Sequence, residues 1–274
     1  MLALTAGIRG IGLLGPGIDD WAGGIAVFTG ATPYVSRATV LPAPSVLPAA
    51  ERRRTGTVVK LALAISFEAV NHSGMKAAEL PTVFTSSGGD GLNCHEICRT
   101  LATDERLISP TRFHNSVHNA ASGYWSIAAG ATPAANVLCA YDASFGAGLL
   151  EALTQVVVER TPVLLVAYDV GYPEPLHAVR PIPDAFGLAM VLEPVGASCT
   201  ADPHQPVAVA RITASLTDAV AERMPDAQLE ALRTTIPAAR CLPLLTKLAR
   251  RESGLVVLDY LEDQRIAVEV STCR

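Results

Sequence analysis

The chain has 274 residues, of which 50% are hydrophobic and 17% charged, and its formal net charge is −5. This length predicts one large domain, and a negative chain whose longest basic run is Arg52-Arg53-Arg54 is not typical of a nucleic-acid-binding protein. Because no apolar run is long enough to span a membrane, we predict no membrane span and expect the apolar surplus to face a partner subunit.

The first third of the chain predicts alternating strands and helices. Residues 2–14 predict a first strand, broken by glycines, rather than a signal peptide. The Gly- and Pro-rich residues 15–48 predict an irregular segment with one short element near residues 21–29. An apolar helical face over residues 55–72 predicts a helix, and residues 80–86 predict a buried strand.

A glycine turn at residues 87–91 leads from this strand into a helix predicted over residues 92–101. Such a turn suggests a phosphate loop, but it lacks the Lys-Ser/Thr ending of one and the spacing of a dinucleotide fingerprint. We therefore interpret it as a tight turn with Asp90 near the helix N-terminus.

The same helix carries Cys94, His95 and Cys98, which match half of a metal site. No further ligands lie nearby in the sequence, so core thiols are the favoured interpretation, and we predict no metal and no cofactor. The six cysteines are too irregularly spaced for a disulfide scaffold and predict reduced thiols in a cytoplasmic protein.

The central stretch, residues 136–159, predicts a buried strand over residues 137–141, a turn at residues 142–144 and an apolar helix. The apolar helix face carries, at four-residue spacing, Phe145, Leu149, Leu153 and Val157. Small residues in the first turn let this helix pack close to the strand, and its free N–H groups point beyond Asp142. The polar, histidine-rich residues 108–119 precede this stretch and enter a helix whose Tyr124 and Trp125 we expect in the core.

Residues 162–169 repeat the central strand, VLLVAYD against VLCAYD. Asp142 and Asp169 are therefore predicted at the carboxyl ends of parallel strands in one sheet, where α/β proteins build their sites. The remaining predicted elements are strands over residues 185–192 and 207–216, a helical region over residues 225–251 interrupted at Pro237 and Pro243, and a hairpin of residues 255–260 and 265–270.

This order of elements resembles the N-terminal half of a β-ketoacyl synthase, a condensing enzyme of the thiolase fold. The resemblance covers most of residues 1–217 and is strongest over residues 85–194. Its most specific part, HNSVHNAASGYWSIAAG at residues 114–130, is similar to chain length factors of the aryl polyene type. The resemblance implies an α/β, thiolase-like single domain over residues 1–274, with the N-terminal half retained and a shortened C-terminal part at residues 218–274.

Two departures from the family pattern imply a chain without condensing activity. The position that matches the family's acyl-accepting cysteine is Asp142, and an acyl-aspartate would be a hydrolysis-prone mixed anhydride. The family's two C-terminal histidines have no counterpart, since the last histidine of this sequence is His204. The resemblance therefore implies no catalytic residue, and a chain length factor that pairs with an active ketosynthase in fatty-acid or polyketide-type (aryl polyene) biosynthesis.

The resemblance also implies which residues meet the partner. In the resembling enzymes the segment matching residues 111–118 lines the partner's acyl pocket, and the strand matching residues 136–141 joins the two sheets. The implied tunnel and interface residues are Arg112, Phe113, His114, His118, Tyr141, Asp142 and Ser144. The implied partners are an active ketosynthase, in a heterodimer, and an acyl carrier protein that reaches the complex.

Two other functions are compatible with the residues. One is a serine hydrolase or acyltransferase, because the sequence has the Ser-Asp-His order of α/β-hydrolases in Ser144, Asp169 or Asp184, and His177 or His204. The turn at residues 142–146 lacks the first glycine of their nucleophile elbow, where a side chain would crowd the strained backbone. The other is an active condensing enzyme with an unusual carboxylate at Asp142.

Overall fold

The computed structural model describes residues 3–196 and 208–272. The strands of these residues are β1 Leu4–Leu14, β2 Thr82–Thr85, β3 Ala135–Leu138, β4 Val163–Asp169, β5 Phe186–Glu193, β6 Ala210–Thr217, β7 Gly254–Asp259 and β8 Arg265–Thr272. The α-helices are α1 Trp21–Phe28, α2 Ala49–Arg52, α3 Thr57–Ser73, α4 Gly91–Leu101, α5 Pro110–His114, α6 Ala120–Ala129, α7 Ser144–Glu159, α8 Leu176–Val179, α9 Ala227–Thr235 and α10 Leu242–Ala249.

The eight strands form one mixed sheet in the order β3-β2-β4-β5-β1-β6-β8-β7. Strand β2 runs parallel to both of its neighbours, β3 and β4, and the other neighbouring pairs are antiparallel. The two strands that precede Asp142 and Asp169 therefore lie in one sheet and point the same way, as predicted. The terminal hairpin is confirmed as β7 and β8.

Helices cover both faces of the sheet. Helix α3 packs on β1, β4 and β5 together with α6, and α7 packs on the opposite face over β1, β2 and β4. Each face has its own cluster of buried apolar side chains, and all seven residues of β4 are buried between them. Tyr124 and Trp125 lie in the α3 cluster, so their predicted place in the core is confirmed.

The glycines of β1 allow α3 to approach the sheet. A Cβ atom on Gly10 would lie 2.0 Å from the carbonyl oxygen of Ala69, and one on Gly12 would lie 2.0 Å from that of Ile65. Both contacts are with backbone atoms, which cannot rotate away. Strand β1 is therefore continuous, although the sequence predicted a strand broken by glycines. Its glycines allow α3 to pack closely against the sheet.

The prediction of a buried central strand over residues 137–141 is wrong. Strand β3 spans Ala135–Leu138 and lies at the edge of the sheet, with Ala135 and Asn136 exposed. The chain leaves the sheet at Cys139, and no strand of the described residues pairs with the outer edge of β3. The apolar residues of this edge strand, Val137 and Leu138, are partly buried against the two clusters, and in sequence they look the same as residues of a central strand.

The interpretation of Cys94 and Cys98 as core thiols is also wrong, because both are exposed. Helix α4 lies outside the two apolar clusters and buries only Gly91 and Asn93. Of the other cysteines, Cys139 is exposed and Cys241 is buried, whereas residues 199 and 273 lie outside the described ranges.

The C-terminal elements follow the prediction closely. The helical region is interrupted as expected, since a 3₁₀ helix over Pro237–Cys241 separates α9 from α10. Pro243 occupies the first turn of α10, where a missing N–H costs nothing. The strand predicted over residues 207–216 is β6, although residue 207 lies outside the described part of the chain.

Candidate functional site

The turn between β3 and α7 presents Asp142 at the carboxyl end of the sheet. A short 3₁₀ turn, Tyr141–Ala143, connects the strand to the helix, and Tyr141 has a φ of 51°, in the left-handed region. A bulky residue in this conformation is strained and is typical of functional turns. Gly148 allows the close approach of α7, because a Cβ there would lie 2.6 Å from Cγ2 of Thr85.

Both carboxylate oxygens of Asp142 are bound by arginines. Oδ1 accepts a hydrogen bond of 2.7 Å from Nη2 of Arg180, and Oδ2 accepts one of 3.2 Å from Nη2 of Arg240. The Arg180 guanidinium also stacks on the Tyr141 ring, 3.8 Å from its centroid. These arginines come from the segment after α8 and from the 3₁₀ helix before α10, so three distant segments meet at this carboxylate.

The charges around Arg180 favour its cationic form. Burial tends to lower the pKa of Arg180, but the hydrogen bond and the negative charge of Asp142 outweigh it, so the pKa is raised above its ordinary value. Arg180 therefore remains a cation and holds Asp142 in place. An ionised carboxylate in this arrangement is a fixed ligand of two guanidinium groups rather than a free nucleophile.

A cavity of about 200 Å³ opens beside this ion-pair group. It lies between the turn, the segment after α8 and the end of α9, and it is lined by Asp142, Val179, Arg180, Pro181, Ile182, Thr234, Thr235, Pro237 and Arg240. Sequence reasoning identified only Asp142 in this set. The arginines carry no local motif, since they lie 38 and 98 residues further along the chain.

Ser144 supports the turn. Its side chain is 1% exposed, and its hydroxyl accepts from the Ala140 N–H at 3.0 Å and donates to the Tyr141 carbonyl at 2.7 Å. Both hydrogen bonds are made to the turn that carries Asp142. The hydroxyl is therefore buried and already used in holding the backbone.

The other residues of the hydrolase hypothesis do not gather around Ser144. The oxygens of Asp169 are bound by Ser87 and by the Ala238 N–H, and those of Asp184 are bound by the N–H groups of Thr39 and Ala185. Among the described residues, no histidine is hydrogen-bonded to Ser144, and residue 204 lies outside the described ranges. The geometry of residues 3–196 and 208–272 therefore does not assemble a Ser-Asp-His triad.

Asp169 is a buried carboxylate with a structural role next to the site. Its Oδ1 accepts from the N–H of Ser87 at 2.8 Å and from the Ser87 hydroxyl at 2.6 Å, and its Oδ2 accepts from the Ala238 N–H at 2.8 Å. Burial raises its pKa to about 6, although these hydrogen bonds act in the opposite direction. Asp169 thus ties β4 to the glycine turn and to the 3₁₀ helix that carries Arg240.

The glycine turn at residues 87–91 is a packing feature. A Cβ on Gly88 would lie 1.7 Å from the Tyr172 hydroxyl oxygen, and one on Gly91 would lie 2.1 Å from Cδ1 of the same ring. Asp90 caps α4 by accepting from the Asn93 N–H at 2.9 Å, as predicted. The glycines therefore leave room for Tyr172 rather than for a phosphate group.

The segment from α5 to α6 carries exposed apolar side chains. Phe113 is 69% exposed and Val117 is 53% exposed. Arg112 makes a long ion pair with Glu96 at 3.6 Å, and the His114 ring meets the Tyr124 ring edge-on. His118 is half-buried against the glycine turn, and its Nε2 has no hydrogen-bond partner among the described residues.

The described residues contain no group of three or more His, Cys, Asp or Glu side chains that could hold a metal ion. None of the described helices is long and apolar enough to cross a membrane.

Comparison with known proteins connects this arrangement to one family. A family model for the N-terminal domain of β-ketoacyl synthases matches residues 30–248. Comparison with curated protein sequences gave no match. Among solved structures, the complex of a ketosynthase (ApeO) with its chain length factor (ApeC) from Xenorhabdus doucetiae contains a chain with a TM-score of 0.72 and 22% identity, covering 97% of this chain and 99% of that one.

Two further structures show the same likeness. The ishigamide ketosynthase/chain length factor gives a TM-score of 0.71 at 13% identity over 98% of this chain and 100% of that one. The AntDE:AntF complex, a type II acyl carrier protein with its ketosynthase bound to a hexaketide, gives 0.72 at 10% identity over 99% and 100%. At these identities the likeness is one of fold, and it confirms the expected thiolase-like α/β architecture.

Proposed function

Because the chain belongs to the β-ketoacyl synthase family, by its match to the N-terminal domain of these enzymes, we propose that it is a non-catalytic chain length factor. It pairs with an active ketosynthase and shapes the tunnel in which an acyl or aryl polyene chain grows. The observation that carries this proposal is the doubly bound carboxylate of Asp142 at the turn where the family places its acyl-accepting cysteine.

The chemistry of that position argues against acyl transfer by this chain. A thiolate accepts an acyl group because it is nucleophilic and later leaves easily. A carboxylate is a weak nucleophile, and here both of its oxygens are engaged by guanidinium groups. Formation of an acyl-aspartate would neutralise the carboxylate and so remove the charge that both arginines bind.

An exposed edge and an exposed apolar surface support pairing with another subunit. Among the described residues no strand pairs with the outer edge of β3, and Tyr141, which follows this strand, is exposed, as are Phe113 and Val117 of the segment from α5 to α6. Surfaces of this kind are typical of protein interfaces rather than of solvent-facing sheets. Two of the similar structures are of a ketosynthase together with a chain length factor.

The tunnel and interface residues that we propose are the exposed or half-buried members of the predicted set. They are Arg112, Phe113, His114, His118, Tyr141 and Asp142. Ser144 is buried beneath the turn, so we assign it the role of holding Tyr141 and Asp142 in position. An acyl carrier protein would deliver substrate to the ketosynthase partner, and we place the complex in the cytoplasm.

The absence of acyl transfer is tested by mass spectrometry of the intact chain after incubation with acyl- and malonyl-carrier protein. We expect no covalent adduct on this chain and a thioester on the co-expressed ketosynthase. A stable acyl adduct on this chain would refute the proposal. Labelling of Ser144 by a fluorophosphonate would instead support a hydrolase.

The tunnel role is tested by the product lengths that the reconstituted pair makes. Phe113→Ala should lengthen the products, because it removes a bulky exposed ring from the segment proposed to reach the partner. Leu255→Ala is the control, since Leu255 is exposed on β7 at the opposite edge of the sheet. Unchanged products with Phe113→Ala would contradict the assignment of this segment.

A further inference from the structure

The cavity beside Asp142 has more positive than negative charge. Its charged lining residues are Arg180, Arg240 and Asp142, and the other lining residues are threonines, prolines and aliphatic side chains. Two guanidinium groups therefore face one carboxylate in the lining, and the buried carboxylate of Asp169 interacts with Arg180 from behind it. The group is only partly open to water, with side-chain exposures of 15% for Arg180, 19% for Arg240 and 41% for Asp142.

Arg240 has hydrogen-bond capacity that the protein does not use. Its guanidinium has five N–H donors, but within the described residues it makes one hydrogen bond, the 3.2 Å contact with Asp142. Arg180 also makes one hydrogen bond, and its buried Nε has no partner among the described residues, but Asp142 and the Tyr141 ring fix its position. Arg180 thus provides a fixed charge, and Arg240 provides free donors at the same cavity.

The local backbone adds to this positive field. Helix α7 is 16 residues long and begins two residues after Asp142, with no side-chain cap and no acidic residue in its first turn. The N-terminus of a helix has a partial positive charge. The first turn of α7 therefore adds partial positive charge two residues after Asp142.

We propose that this cavity binds a small oxyanion, a carboxylate or a phosphate, with Arg240 as the main donor and Arg180 as the fixed neighbouring charge. The planar fork of a guanidinium matches two oxygens of either group. A cavity of about 200 Å³ suits a ligand of few heavy atoms. This inference goes beyond the proposed function and holds whether or not the chain pairs with a ketosynthase.

The test is a titration of the purified chain with sodium acetate, inorganic phosphate and neutral acetamide at constant ionic strength. Binding is followed by calorimetry and by the midpoint of thermal unfolding. We expect a saturable response to acetate or phosphate and none to acetamide, and the stronger anion identifies the preferred geometry. Arg240→Gln should weaken binding at least tenfold, whereas Arg99→Gln, on the exposed face of α4, should leave it unchanged.

Asp142→Asn provides an independent arm that keeps both arginines. Removal of the competing carboxylate should strengthen anion binding about tenfold, the scale expected for one unit charge at a partly exposed site. The proposal is overturned if no anion gives a saturable response, if acetamide acts like acetate, or if Arg99→Gln weakens binding as much as Arg240→Gln. An anion affinity that is unchanged in Asp142→Asn would also overturn the proposal. This result does not depend on whether Arg240→Gln folds.

Discussion

Asp142 and Asp169 end the same Ala-Tyr-Asp motif but lie in different environments. Asp142 is half-buried and bound by two arginines, whereas Asp169 is 2% exposed and bound by neutral donors. Two guanidinium groups hold the carboxylate of Asp142, whereas burial raises the pKa of Asp169. The repeat therefore indicates where two strands end, but the role of each aspartate depends on residues that only the fold brings near.

Stability should depend on pH through Asp169. Its folded-state pKa of about 6 lies above its ordinary value of 3.8, so the folded protein holds this proton more tightly than the unfolded chain. The favourable contribution is present in full below pH 3.8 and is lost as the pH rises through about 6. As the pH rises from 3.8 to about 6, the contribution of Asp169 to the wild-type free energy of unfolding should therefore decrease.

Ser87→Ala isolates this effect, because the Ser87 hydroxyl donates at 2.6 Å to the Asp169 carboxylate. A hydrogen bond to a charged group is worth roughly twice one to a neutral group. The variant should therefore lose about 1 kcal/mol more at pH 8 than at pH 5, measured by urea unfolding. Ser126→Ala, whose hydroxyl bonds only a helix carbonyl, is the control with equal losses at both values. Equal losses for Ser87→Ala would contradict the raised pKa.

At the scale of elements, the sequence predicted the strands and helices well and the neighbours of each element less well. The period-based prediction of α3 and the apolar run of β4 are confirmed, because their burial is decided within the chain. Strand β3 was misplaced because its partly buried apolar residues, Val137 and Leu138, lie on an edge strand and not in the middle of the sheet. Burial by a partner and burial by the chain's own core leave the same pattern in a sequence.

The close packing of α3 on the glycines of β1 leads to a prediction about stability. In Gly12→Ala the new methyl group would lie 2.0 Å from the Ile65 carbonyl oxygen, so the helix must move off the sheet. We expect a loss of about 3 kcal/mol or more in the free energy of unfolding, measured in urea.

Gly123→Ala is the matched control, because Gly123 lies within α6 and a Cβ there has nothing within 4 Å. It should gain about 0.5–1 kcal/mol from the better helix propensity of alanine. A loss for Gly12→Ala no larger than about 0.5 kcal/mol would show that α3 is not seated on the glycines, since this is the usual range of surface substitutions.

At the scale of the whole molecule, the two edges of the sheet are not equivalent. On the β7 side, the Glu222 N–H donates to the Val257 carbonyl at 2.8 Å, so this edge is partly covered. On the β3 side, the hydrogen bonds run inward, from the Thr82 N–H to the Ala134 carbonyl and from the Ser86 N–H to the Leu138 carbonyl. The backbone of the alternate residue Ala135 therefore faces outward, and no backbone hydrogen bond among the described residues reaches it.

The outward edge of β3 is where we expect the ketosynthase partner to add its own strand. Ala135→Pro removes one outward N–H from an exposed position without touching the ladder to β2, and proline is tolerated on an edge strand. The variant should fold with unchanged stability but no longer co-elute with the co-expressed ketosynthase in size-exclusion chromatography.

Ala135→Gly keeps the N–H and should retain the complex, which separates loss of a hydrogen bond from loss of the methyl group. If the wild-type chain elutes as a stable monomer beside the ketosynthase, the pairing itself is refuted. If Ala135→Pro still pairs, the partner binds elsewhere, and the exposed apolar side chains of Phe113 and Val117 become the surface to test. The free edge of β3 and the two ion pairs of Asp142 would then need separate explanations. Addition of a partner strand to β3 would explain both, because it places the turn that follows β3 directly at the subunit boundary.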